Sequence, residues 1–124
     1  MAQNEQDPRF YKAIDEFNQR LFFESHETLE ELWLEENGAE KLFYQGIIQI
    51  AAGYFKWEQG VLIGAIKLLH AGLDKIEPYR PAYLGLELDS FVLDVKANLR
   101  EIESAYRKKE QAPEIIVPVL SLIS

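Results

Sequence analysis

Residues 39–59 read AEKLFYQGIIQIAAGYFKWEQ. Most of the run is apolar, but it is interrupted at a helical interval. Gln45, Gln49, Ala52 and Lys56 follow one another at spacings of 4, 3 and 4, which puts them on one stripe of an α-helix. A helix that is apolar on its other sides is packed among neighbours. Its most apolar part, residues 42–55, has 14 residues and contains both glutamines. A membrane-spanning helix needs about 20, so the segment reads as the buried central helix of a helical domain. Gly46 and Gly53 flank the polar stripe one heptad apart and let another backbone approach closely.

The same periodicity continues on both sides of this helix. Upstream, Phe22, His26, Leu29 and Trp33 recur at 4, 3 and 4, predicting a helix over 22–36 that Asn37-Gly38 ends. Before it, Asp7-Pro8 pairs an N-cap with a first-turn proline. Phe10, Ile14, Phe17 and Leu21 then form a stripe over 8–20. No Pro or Gly separates these two segments, so two helices and one kinked rod are both open. Downstream, Leu62, Ile66, Leu69, Leu73 and Ile76 line a helix over 61–76, stopped by Pro78 and Pro81. Residues 77–86 are expected to be a loop. Phe91, Val95, Leu99, Ile102 and Tyr106 face inward on a helix over 88–109. The expected architecture is all-α. About five helices pack as antiparallel hairpins around the central helix, in one domain over 1–124 with its helical core at 8–109. No period of 20–50 residues repeats, which disfavours a helical solenoid.

The last residues, 113–124, change character. EIIVPVLSLIS has no helical stripe and a central Pro118. An apolar tail does not float in water. It packs along its own helical body or against another subunit, and the second alternative makes the chain a homo-oligomer.

The chain has 124 residues and a formal charge of −8, from 13 basic and 21 acidic residues. It has no cysteine, which removes disulfides, thiolate metal sites and a cysteine nucleophile. The acidic balance speaks against nucleic acid, and the local run Arg107-Lys108-Lys109 complements the end of a helix dipole. The N-terminal sequence MAQNEQDPRF lacks the basic-then-apolar pattern of a secretory signal. The expected compartment is cytoplasmic, with no membrane partner.

A wheel of about 100° per residue puts His26 in the middle of the Phe22 stripe, with Glu30 beside it and Glu27 at its border. His26 and Glu30 are therefore expected to point inward, and Glu24, Glu31 and Glu35 to face solvent. Buried amides need partners, so Gln45 and Gln49 are expected to join His26 and Glu30 in an internal polar cluster, with Glu27 and Lys56 at its mouth. Three roles stay open for this cluster. It could fix the register of two helices. It could bind a small molecule. Or it could hold a divalent metal through His26 and Glu30, since His26-Glu27-x-x-Glu30 has the spacing of the helical motif H-E-x-x-H with its second His replaced. In the metal case Glu27, or His26 itself, serves as catalytic base in a metal-assisted hydrolase. Two ligands are few, and the other histidine, His70, reads as a dipole-complementing residue late in its helix. Trp33 and Trp57 read as core.

These residues also carry a resemblance. Phe23-Glu24-x-His26-Glu27-x-Leu29-Glu30-x-x-Trp33, followed by Tyr44-Gln45-Gly46-Ile47-Ile48-Gln49, resembles the prokaryotic domain-of-unknown-function 309 family, as do Gly60-x-x-x-Gly64-Ala65 and Leu68-Leu69 after them. The resemblance covers about residues 10–75 and implies a small all-helical domain. The motif positions that map here are Glu24, His26, Glu27, Glu30, Trp33, Gln45 and Gln49. It implies no activity. The chain departs from the pattern at Arg20, where the family has a small residue, often Gly. Glu24 belongs to the motif although the wheel sends it to solvent. A second helix beginning at Ser25 would place Glu24 in the preceding turn as a cap.

Overall fold

In the computed structural model, residues 6–123 are described. Residues 1–5 and Ser124, the two ends of the expected domain and tail, lie outside the described residues. Five helices follow in order: α1 Pro8–Asn18, α2 Phe22–Glu35, α3 Glu40–Glu58, α4 Leu62–Ile76 and α5 Asp89–Arg107. The all-α reading holds. Among the described residues no helix is long and apolar enough to cross a membrane.

The helix ends follow the local chemistry. Asp7 caps α1, its Oδ1 accepting from the Arg9 amide at 2.9 Å, with Pro8 in the first turn. α1 and α2 are separate helices. The chain reverses at Arg20, whose φ of 65° is the left-handed conformation that glycine adopts without cost. An arginine therefore holds the turn where the resemblance implies a small residue, and its guanidinium lies 6.0 Å from the centre of the Trp57 ring. The α3–α4 turn uses Gly60, at φ 78°.

Successive helices pack on one another, so α3 lies between α2 and α4. α1 and α5 cross the inner side of this layer. There Phe17 meets Phe22 at 5.2 Å, Phe91 at 5.7 Å and Tyr54 at 6.1 Å between ring centres. The α3–α4 contact is close because glycines lie on both sides of it. A Cβ on Gly46 would be 2.5 Å from Ile76 Cγ2, and one on Gly53 2.8 Å from Leu69.

Two segments differ from expectation. Residues 77–86 are not a plain loop. They form a short 3-10 turn, Glu77–Tyr79, and the first strand of a small hairpin, with β1 Ala82–Tyr83 pairing β2 Leu86–Glu87. The tail supplies a third strand, β3 Ser121–Leu122, antiparallel to β2. Such pairing joins residues far apart in sequence, so no local pattern announces it. The tail lies along its own helical body. Trp57 Nε1 donates to the Pro113 carbonyl at 2.8 Å, and Asn98 Nδ2 to that of Ile116 at 3.1 Å. Asn18 both donates to the Leu120 carbonyl at 2.9 Å and accepts from its amide at 2.7 Å. Ile115 and Leu120 are buried, while Ile116, Val119, Leu122 and Ile123 stay exposed.

Candidate functional site

The register of α2 against α3 is set at two places. Phe23 packs against Phe55, ring centres 5.5 Å apart. Near the connection, Lys41 Nζ lies 4.2 Å from the centre of the Trp33 ring. It also donates to the carbonyls of Trp33 and Glu36 at 2.7 and 3.1 Å, satisfying two of the acceptors that a helix end leaves open. Between these points the helices run antiparallel, which brings His26 level with Gln49 and Glu30 level with Gln45. All four face the outer side of the α2–α3 pair.

The wheel for α2 needs correction. Its buried side chains are Phe22, Ser25, Thr28, Leu29 and Leu32, so the inward direction is turned away from His26 and Glu30. The reason is polar. Ser25 Oγ donates to the Ala13 carbonyl at 2.9 Å and Thr28 Oγ1 to Glu16 Oε1 at 2.7 Å. Small hydroxyls with partners can be buried at little cost and let α1 come close. Apolar spacing alone could not find them. The signal available was two small hydroxyls at an interval of three, in register with Phe22 and Leu32.

His26 therefore sits at the border, its side chain 25% exposed, and Glu30 is 46% exposed rather than inward. His26 Nδ1 is 3.6 Å from Glu27 Oε2, and its Nε2 is 3.6 Å from Glu30 Oε2. These are ion-pair distances for a protonated ring, longer than hydrogen bonds. Gln45 and Gln49 are half-buried. No hydrogen bond among the described residues joins them to His26 or Glu30. Glu24 is exposed in the first turn of α2. The helix starts at Phe22 and not at Ser25, so Glu24 favours the dipole from inside the helix rather than capping it from the turn. Lys56 runs beside Gly64.

Two atoms here lack partners. Gln49 Oε1 and Trp33 Nε1 are buried and make no hydrogen bond. Every other buried side-chain nitrogen or oxygen among the described residues has one, as in Asn98 Nδ2, which donates to Tyr54 Oη at 2.8 Å. Among the described residues no group of three His, Asp or Glu side chains is placed to hold a metal ion, so the donor set suits metal chemistry poorly. His70 is also reassigned. It lies in mid-helix, half-exposed, and contacts Glu103 Oε2 of α5 at 2.9 Å, linking two helices instead of complementing one helix end.

A polar cleft of about 400 Å³ lies on the other side of α2, lined by Asp7, Arg9, Glu35, Glu36, Glu40 and Tyr44. Arg9 is saturated there by Asp7 and Glu35, at 2.9 and 2.8 Å, and its hydrogen bonds hold the Asp7 carboxyl down to about 2.

A comparison with curated proteins finds no match to the chain. Residues 10–68 match the family described as a domain of unknown function (DUF309). That segment, just under half of the chain, runs from α1 to the first half of α4 and carries every residue of the polar band, and over it the chain is similar to the DUF309 family.

Proposed function

We propose that this protein is a helical binding module, and that its working surface is the outer side of α2 and α3 where His26, Glu27, Glu30, Gln45 and Gln49 gather. One observation carries the reading: Gln49 Oε1 is buried without a donor. A buried acceptor left unpaired costs about 1–3 kcal/mol, and apolar side chains fill such positions more cheaply. A glutamine kept there is accounted for by a donor arriving with a partner. The half-exposed carboxylates of Glu27 and Glu30 and the imidazole between them supply further polar contacts at the rim. A cytoplasmic setting belongs to the same proposal.

The competing role, in which the glutamines fix the register of α2 and α3, makes the opposite prediction. Gln49→Leu keeps the volume and removes the unpaired oxygen. If the surface serves binding, the monomeric chain, at a concentration too low for association, gains about 1 kcal/mol in urea unfolding. A loss of stability in Gln49→Leu would assign Gln49 to the scaffold and overturn the proposal.

A further inference from the structure

We propose that the partner on this surface is a second copy of the chain, paired about a twofold axis running along α3. This rests on the binding reading above and adds the occupant. The face is wider than α2 and α3 alone. On α4 the residues beside it are Gly64, Leu68, Ala71 and Lys75, small or half-buried. On α3 the outward residues are Leu42, Gln45, Gln49, Ala52 and Lys56, at spacings of 3, 4, 3 and 4, the seam of a helix that packs on a parallel twin. Three helices of this length side by side present about 700 Å², close to the share of each partner in a stable dimer, about 800 Å².

Charge chooses the second copy and its orientation. The α2 side is acidic, with Glu27 and Glu30, and the α4 side is basic, with Lys75 and with Lys56 leaning over Gly64. No ion pair inside the chain engages Lys56 or Lys75 among the described residues, and Glu27 and Glu30 pair only with His26. Asp74 turns toward α5, where it lines a groove with Lys96 and Arg100. A twofold along α3 lays the α2 of one copy over the α4 of the other and keeps heights unchanged, whereas a twofold across the helices would face acid with acid.

The heights match. Lys75 is level with Gly46, since a Cβ there would meet it at 3.1 Å. Glu27 and Glu30 are level with Gln49 and Gln45. Lys75 thus meets Glu30 of the other copy at its own height. On the axis the two Gln49 amides can pair, the Nε2 of each donating to the unpartnered Oε1 of the other. Lys56 leans over Gly64 toward the same facing α2.

The test is sedimentation of the full chain at micromolar concentrations. The expected result is a dimer of the 14.4 kDa chain. Lys75→Glu and Glu30→Lys each weaken it by about tenfold, since the twofold repeats the reversed pair, with helicity unchanged. An equimolar mixture of the two variants restores dimers, because every facing pair is again opposite in sign. Leu42→Cys, the sole cysteine in its chain, forms a disulfide dimer on oxidation if the α3 helices are parallel. A chain that stays monomeric overturns the pairing and leaves the Gln49→Leu result to decide the binding surface. Dimers that survive both reversals, or a Leu42→Cys chain that does not cross-link, overturn it as well.

Discussion

Gly72→Ala should destabilise the protein although alanine is the better helix former. In a free helix the change is worth about 1 kcal/mol in favour of alanine. At Gly72 the new Cβ would lie 2.7 Å from the Gly46 carbonyl oxygen, 3.0 Å from the Ile50 amide nitrogen and 2.6 Å from Ile50 Cγ1. Two of these atoms belong to the α3 backbone and cannot rotate aside. Reaching ordinary contact at 3.4 Å requires α4 to withdraw by about 0.7 Å, which loosens Leu69 and Ile76 where they pack on α3. Overpacking costs about 1–3 kcal/mol, and an obstacle made of backbone belongs at the upper end. The net expectation is a loss of about 2 kcal/mol, or about 8 °C in Tm, read by urea and thermal unfolding in far-ultraviolet circular dichroism. Gly64→Ala is the control on the same helix. Its Cβ meets only the side chains of Val61 and Lys56, at 3.3–3.5 Å, and the propensity gain of about 0.5–1 kcal/mol should survive. If Gly72→Ala is as stable as the parent, the close α3–α4 approach is not what the glycine is for, and the reasoning fails.

Two further outcomes are expected. Asn18→Ala removes both hydrogen bonds to Leu120 and should cost about 2 kcal/mol. Amide exchange should quicken at Leu120 and in β3 while α3 stays protected. The Asp7 carboxyl is lowered from an ordinary 3.8 to about 2 by Arg9. Its contribution is therefore present above the ordinary value and lost as pH falls toward 2. An NMR titration should find its midpoint near 2, and higher in Arg9→Ala but still below 3.8, because the residue-9 amide continues to donate to it.

The helices were legible because their signals are local. Asp7-Pro8 starts α1, Asn37-Gly38 lies in the α2–α3 connection, and Pro78 follows α4. The residues of the polar band were legible as well, through the 4-3-4 spacing of the α3 stripe and the resemblance carried by α2. The facing of α2 was not. Counting apolar residues centres its stripe on His26, but Ser25 and Thr28 are buried, because α1 offers the Ala13 carbonyl and the Glu16 carboxylate as acceptors. Burial of a hydroxyl depends on what lies opposite, and the opposite residue is on another helix. The strand pairing of 82–87 with the tail was invisible for the same reason.

The amino-acid order alone determined an all-helical chain with a central α3, an acidic surface and a polar stripe interrupting an apolar helix. These follow from periodicity and side-chain chemistry, which act over one or two turns. Tertiary structure decided which side of α2 is buried, that the tail lies on its own body, and that Gln49 Oε1 and Trp33 Nε1 are left without partners. Each of these depends on distances between atoms remote in the chain. Whether a buried oxygen finds a donor is settled by the neighbouring helix.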